Sequence, residues 1–449
     1  MAAPEQETRT SAHAPAVPHE IAFKAPGHVH DALGALARTE DVRLSPSGRR
    51  LAIAGFASGR IAIAEVEITR TAAGPEVAVT ALEYVESPAF QDPHGVDFVD
   101  EDVIVVANRG GGVAVVRLVP GGADLLATTG PVHDDPASLL YTPGSVAVRE
   151  DAAGRREVLV CNNYAHTVTR HTLDASGRLV DGELVVRRWL DIPDGLALSR
   201  DGRRLAVSNH NTHNVLVYHC ASLGGDVEPV GVLRGPRYPH GVRFGTDDRF
   251  LVVADAGAPF VHVFTSSDGS WDGVAYPTST LRVMDEETFL RGHHNPEEGG
   301  PKGIDVDVRS NVLVATAECL PLAFYDLEPA LAAESGPDES VLTGYELHLL
   351  KTGSNARHAA AERERAAAER EQALRAELES LRADAAEHAA RLDEEIARLA
   401  AECDLRDRAQ AEANAEINRV HGSRSWRVTA PLRSGTALAR VAAQRLRGR

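Results

Sequence analysis

From Asp41 to about Leu327 the chain alternates short apolar runs with polar punctuation, the period-two pattern of strands buried in sheets. The clearest stretch is Ile192–His210, IPDGLALSRDGRRLAVSNH, in which strands GLALS and RLAVS flank a turn at Ser199–Gly202. Gly202 suits a position with φ > 0 in that turn. A lone pair of strands is marginal because its apolar faces have nothing to lie against. The chain supplies copies. Paired strands recur as DVRLS/RLAIAG from Asp41, GVDFV/VIVVAN from Gly95 and SVAVR/VLVCN from Ser145. They continue as GLALS/RLAVSN from Gly195, GVRFG/FLVVAD from Gly241 and GIDVD/VLVATA from Gly303. The spacing is about fifty residues, with an insertion lengthening the last interval. A third strand follows each pair (RIAIAEVEI, GVAVVRLV, TVTRHTL, NVLVYHC, FVHVFTS, LAFYDL), and a looser fourth follows most. Four antiparallel strands at this period predict an all-β propeller of six blades, or seven if the end segments form more than one strand. Glu20–Lys24 (EIAFK) or Tyr345–Lys351 (YELHLLK) is expected to complete the last blade.

The period changes after Gly353. Ala359–Val420 is rich in Ala, Glu, Arg and Leu and contains neither Pro nor Gly. Leu374, Leu378, Leu381, Ala385 and His388 fall at alternating steps of four and three. Leu392, Ile396, Leu399, Cys403, Ile417 and Val420 resume the heptad after a four-residue stutter. This predicts a coiled coil that makes the protein a homo-oligomer; the alternative is a single solvated charged helix. In the tail, Pro431 is expected to break the helix before a short basic amphipathic helix over Ser434–Arg449 carrying Leu438, Val441 and Leu446. With Trp426 beside it, this tail could lie at the surface of an anionic membrane or simply cap the coil. Residues 1–18 are polar and Pro/Ala-rich and are expected to be disordered. Four segments result: a disordered 1–18, a propeller 19–353, a coiled coil 354–420 and a basic tail 421–449.

Composition narrows the partners. The 449 residues carry a formal charge of −18, while His421–Arg449 holds seven Arg and no acid, so the body is more acidic than the whole. An acidic body argues against nucleic acid as a partner. Aromatics make up 5% of the chain, leaving Val, Leu, Ile and Ala to fill the core. Cys161, Cys220, Cys319 and Cys403 are scattered without CxxC spacing, as expected of thiols in a reducing compartment. The first twenty residues lack the basic and apolar regions of a signal peptide, and no run of eighteen apolar residues exists. These features predict a cytoplasmic protein, with the tail peripheral at the inner membrane surface as a further option.

Blade topology places the candidate chemistry. The residue before each leading glycine lines one mouth of the central channel, and the end of each second strand sits further out around the same mouth. The inner ring reads Glu40, His94, Gly144, Asp194, His240 and Lys302. Glu40, His94, Asp194 and His240 offer the carboxylate and imidazole donors that suit zinc, iron or manganese, calcium being disfavoured by His. Lys302 would repel a cation and pair with Glu40, so a hydrogen-bonded plug is the plainer role for the ring. The second ring holds Asn108, Asn162, Asn209 and Asp255, candidates to bind a ligand or, more simply, to hold backbone in adjoining turns. Two long connections could overhang the mouth: Pro131–Tyr141, with His133, Asp134 and Asp135, and Met284–Gly300, with His293, His294, Glu297 and Glu298. The chain has no nucleophile elbow, HExxH or phosphate-binding loop; Gly110–Gly112 joins two strands and reads as a turn.

PDGLALSRDGRRLAVSN and PHGVRFGTDDRFLVVAD resemble YVTN-type repeats and are similar to the gluconolactonase (SMP-30-like) propellers, over about residues 40–330. That resemblance implies six blades and a metal-dependent lactone hydrolase whose metal is held by Glu, Asn and Asp at the inner-strand starts. Glu40 matches the Glu slot, without the usual E-G-P; Asp194 stands where those enzymes have Asn, and His240 where they have Asp. Ser423–Arg433, SRSWRVTAPLR, looks like the SWRxTxPLR motif that follows coiled coils in bacterial glycosyltransferases and surface-polysaccharide proteins. No glycosyltransferase catalytic pattern accompanies it, so the resemblance implies docking to a glycan-assembly system. The expected function is a non-catalytic binding or scaffold propeller, oligomerised by its coil and associated with polysaccharide biosynthesis; the alternative is a lactonase-like hydrolase at the mouth.

Overall fold

Five of the six inner strands begin at Pro-x-Gly or Pro-Gly-Ser: Pro93–Phe98, Pro143–Glu150, Pro193–Leu198, Pro239–Phe244 and, from Pro301 onward, Gly303–Asp307. The glycine answers a steric demand. A Cβ on Gly195 would stand 2.1 Å from the His240 carbonyl oxygen, and one on Gly241 2.4 Å from that of Lys302. Neighbouring inner strands therefore approach each other at their starts more closely than any other residue permits. The proline removes a donor where the register shifts: bulges fall between Pro93 and Gly95, Pro143 and Ser145, and Pro193 and Gly195.

The computed structural model describes residues 8–10, 17–130, 139–151, 153–332, 382 and 388–446. Two compact units result, Met1–Leu349 and Leu350–Arg449. The first is a six-bladed propeller, and the described residues form no seventh blade. Blades two, three and five are four-stranded antiparallel sheets, and blade four gains Gly273–Ala275 as a parallel fifth strand. Blade six has three strands among the described residues, ending in Leu320–Asp326. Its outer edge is met by the N-terminal segment through a Glu20–Tyr325 bridge, with Ile21 N donating to Phe324 O at 2.8 Å. Of the two segments expected there, Glu20–Lys24 contributes this bridge, and Tyr345–Lys351 lies outside the described residues. The same segment crosses to blade one, where Lys24–Pro26 runs parallel to Gly74–Val85, and so straps the last blade to the first. Two pieces of 1–18 also have a place here: Thr8–Thr10 pairs with Lys24–Pro26, and Val17 is buried against blades five and six.

Six apolar clusters form the core, each shared by two adjacent blades. In Arg204–Asn209, Leu205 and Val207 face blade three while Ala206 faces blade five. Successive side chains point to opposite faces and both faces are covered, so these strands read as nearly continuous apolar runs. The cysteines are unpaired thiols, with Cys161 buried and Cys403 exposed.

In the second unit, residues 388–422 form a helix, followed by short helices Arg424–Val428 and Ala430–Leu446. Leu392, Ile396, Leu399, Ile417 and Val420 are all exposed on the first of these; Leu374, Leu378, Leu381 and Ala385 lie outside the described residues. Pro431 sits in the first turn of the last helix, where a missing N–H costs nothing, so that helix starts at Ala430 and not at Ser434. No described helix is long and apolar enough to cross a membrane.

Candidate metal centre at the channel mouth

The strand starts bring Glu40, His94, Asp194, His240 and Lys302 to one mouth, all buried. The sixth position, Gly144, is filled from elsewhere. A Cβ there would sit 1.7 Å from Asn163 Oδ1, so Gly144 leaves room for the Asn163 side chain, whose amide donates to Asp194 Oδ1 at 2.5 Å. Asn163 follows the second strand of blade three, one residue past the position singled out from the sequence.

Each carboxylate divides its two oxygens. Glu40 Oε1 takes Lys302 Nζ at 2.9 Å and the Arg38 guanidinium. Its Oε2 faces His94 Nε2 at 3.5 Å and His240 Nε2 at 3.4 Å, and is buried with no hydrogen-bond partner. Asp194 Oδ1 takes Arg109 at 3.1 Å, while Oδ2 faces His240 Nε2 at 3.3 Å and His210 Nδ1 at 3.6 Å. The expected Lys302–Glu40 pair therefore forms on the oxygen that points away from the imidazoles. Lys302 is also bound by Glu298, at 2.7 Å.

His94 fixes the chemistry. Its Nδ1 lies 2.7 Å from the Gly144 carbonyl, which can only accept, so Nδ1 carries the proton. In neutral His94 the Nε2 then presents a lone pair to Glu40 at 3.5 Å and to Asp194 Oδ1 at 3.9 Å. Burial first, and then Arg109, push the His94 pKa down to about 3 against the pull of Glu40 and Asp194. Burial opposes ionisation of Glu40, yet Lys302, His94, His240 and Arg38 hold it well below the usual carboxylate range. Asp194 is lowered likewise, against burial, by His240, Arg109, His94 and His210. Two carboxylates held ionised thus face the His94 lone pair.

The other predicted residues have different roles. Asn108 Oδ1 accepts from Gln91 N at 3.1 Å, Asn162 Oδ1 from Tyr141 N at 2.9 Å and Asn209 Oδ1 from Asp191 N at 2.6 Å. Asp255 accepts from Arg237 N and Tyr238 N at 2.8 and 3.1 Å. All four staple the connection arriving from the previous blade, so their oxygens are committed to backbone. Within Met284–Gly300, His293 Nδ1 donates to Glu298 O at 2.6 Å, and His294 Nε2 lies 2.9 Å from Glu318. The carboxylates of this loop reach the mouth instead: Glu298 meets Arg38 and Lys302, and Glu297 stands 4.0 Å from His210. His133, Asp134 and Asp135 lie outside the described residues.

A second tier, missed from the sequence, is formed by Arg43, Asp97, Arg243 and Asp305, three residues further along the same strands, together with Asp41. Arg43 meets Asp97 at 3.2 Å and Asp305 at 4.0 Å; Arg243 meets Asp41 at 3.2 Å and Asp305 at 3.6 Å. The aspartates also lace neighbouring inner strands: Val96 N donates to Asp41, Val148 N to Asp97 and Leu44 N to Asp305. With three acids to two bases, burial raises Asp41 to about 6 against Arg43 and its backbone donors. The signal was a charge inside an otherwise apolar strand, VRL, VDF, VRF and IDV against VAV and LAL in blades three and four.

No family model matches the chain, and no curated protein matches it. Among solved structures it is similar to a luciferin-regenerating enzyme at 11% identity and TM-score 0.43, covering 64% of this chain and 90% of that one. A candidate gluconolactonase aligns at 16% identity and TM-score 0.41, covering 64% and 88%. A nidogen/laminin complex aligns at 13% identity and TM-score 0.39, covering 56% and 87%. At these identities the likeness concerns the propeller fold alone.

Proposed function

We propose that the protein is a propeller scaffold whose channel mouth is closed by one divalent cation, of the zinc type, held by Glu40, His94, Asp194 and His240. The observation that carries this reading is the His94 lone pair, locked by Gly144 toward two carboxylates that are ionised at neutral pH. Glu40 Oε2 stands 3.5 Å from His94 Nε2 and 3.4 Å from His240 Nε2, within the edges of about 3.3–3.6 Å for a tetrahedron with 2.0–2.2 Å metal bonds, while Asp194 faces His240 at 3.3 Å through Oδ2 and His94 at 3.9 Å through Oδ1. Glu40, His94 and His240 alone bring their donor atoms within 4.8 Å of one another. The Gly144 carbonyl supplies the outer contact that orients a metal-bound imidazole. With Asp194 Oδ2 turned onto the ion as the fourth donor, the buried ring would fit a structural site, whereas a catalytic zinc keeps that position open. The test is metal analysis of protein purified without chelator. About one zinc, iron or manganese per chain is expected, falling to none in the Glu40→Gln/His240→Ala double variant. Protein that contains no such ion and takes up none in a zinc titration refutes the centre.

The scaffold role rests on the exposed heptad positions of helix 388–422, which would gather several propellers into one oligomer, with surface-polysaccharide assembly as the setting. A second reading, lactone hydrolysis at the same mouth, draws on His210, whose buried Nδ1 has no hydrogen-bond partner and faces Asp194. Turnover of an aldonolactone by the metal-loaded protein, abolished by His210→Ala, would select that reading over a purely structural ion.

A further inference from the structure

The SWRxTxPLR segment builds a defined elbow. Ser423 caps the helix Arg424–Val428, its Oγ accepting from Trp426 N at 3.2 Å. From the next helix, Arg433 folds back with its guanidinium 3.5 Å from the centre of the Trp426 ring. The same side chain donates to Trp426 O and Thr429 Oγ1. His421 closes against the indole with ring centroids 4.5 Å apart. Ser423, Trp426, Thr429 and Arg433 thus lock the angle between the two helices, and the apolar residues of the segment are left outside the lock. Val428, Leu432 and Leu438 are 77%, 72% and 71% exposed. At 100° per residue, Leu432, Gly435, Leu438, Ala439, Ala442 and Ala443 share a sector roughly 140° wide, with Arg433 and Arg440 along one border.

We infer that this elbow is a membrane-surface anchor that lays its apolar sector into an anionic bilayer. Charge complementarity selects the occupant. His421–Arg449 carries seven arginines and no acid on a chain of net charge −18, and Arg424, Arg427 and Arg440 are exposed around the apolar sector. Nucleic acid would use the arginines but leave Val428, Leu432 and Leu438 in water. A lipid interface satisfies both: headgroup phosphates take the guanidinium groups while the leucines enter the acyl boundary. The lock of Arg433 on Trp426 presents both faces in one preformed geometry, which lowers the ordering cost of binding.

The experiment is co-sedimentation of the full-length protein with vesicles of phosphatidylcholine containing phosphatidylglycerol, against phosphatidylcholine alone. Binding to the anionic vesicles only, weakened by salt, is expected. Leu432→Asp/Leu438→Asp should lower partitioning at least tenfold. Arg424→Gln/Arg427→Gln should lower it by about fivefold per arginine. Both pairs are exposed, and unchanged far-ultraviolet circular dichroism establishes that the helices persist. Failure of the wild type to bind anionic vesicles overturns the inference. So does binding that ignores the leucine pair and is displaced by polynucleotide, which would make the tail a nucleic-acid site. A leucine pair that lowers the solution mass without altering vesicle binding would assign the sector to a second copy of the chain and overturn it equally.

Discussion

Replacing Arg243 by methionine removes the more enclosed of the two bases in the channel. Its guanidinium reaches Asp41 at 3.2 Å, Asp305 at 3.6 Å and the Val242 and Leu196 carbonyls at 2.6 and 3.2 Å. Methionine keeps most of the volume and none of the charge. Arg43 remains for Asp97 and, at 4.0 Å, for Asp305, while Asp41 keeps only its backbone donors and the more distant charges. Breaking a buried pair from one side costs about 3–5 kcal/mol. Asp41 limits that loss by taking up a proton, because its pKa already stands at about 6 in the intact protein. At pH 5 the carboxyl is largely protonated before the substitution, so the loss there should be smaller than at pH 7 by up to about 1.4 kcal/mol. The assay is urea denaturation followed by tryptophan fluorescence, with Trp271 buried between blades four and five as reporter. Adding Asp41→Asn to Arg243→Met should recover at least ~1 kcal/mol relative to the sum of the single losses. A loss below ~1 kcal/mol, equal at both pH values, would mean that the channel is hydrated and the tier contributes nothing, and the reasoning would fail.

Asp41 itself should tilt the stability profile: its folded pKa of about 6 lies above its ordinary 3.8, so its contribution is full below pH 4 and disappears as pH rises through 6. Asp41→Asn should flatten that slope in melting temperatures read across the range; an unchanged slope contradicts the assignment. Gly241→Ala drives a methyl to 2.4 Å from the Lys302 carbonyl and should cost about 1–3 kcal/mol by forcing two inner strands apart, measured by calorimetry. A neutral alanine would show that the strands can part freely. Leu392→Lys/Leu399→Lys, on the exposed heptad face, should lower the mass seen by light scattering, and a wild type that is already monomeric refutes the oligomer.

The six-fold repeat was readable because every blade buries strands on both faces, which forces apolar runs at a fixed period. The inner ring could be listed from the same register: Glu40, His94, Asp194, His240 and Lys302 stand where the strand starts place them. The second tier was written in the same strands, as single charges inside apolar triplets, but each triplet alone reads as an edge or a flaw. Asn108, Asn162, Asn209 and Asp255 invited a ligand by their regular positions, and their regularity instead reflects one backbone staple repeated in four blades. In the loop Met284–Gly300 the histidines drew notice, whereas the acids Glu297 and Glu298 reach the mouth.

The amino-acid sequence by itself determined the propeller repeat, with six blades or seven, the residues offered to the channel and the composition of the tail, because periodicity and charge are properties of the chain in order. Only the tertiary structure decided which oxygen of Glu40 meets Lys302 and which is left to the imidazoles, and that Asn163 fills the gap at Gly144. It also decided that Arg433 closes over Trp426 and leaves the neighbouring leucines bare. Those outcomes depend on distances and directions across elements far apart in the chain, and a carboxylate's two oxygens are distinguished only by what surrounds each of them.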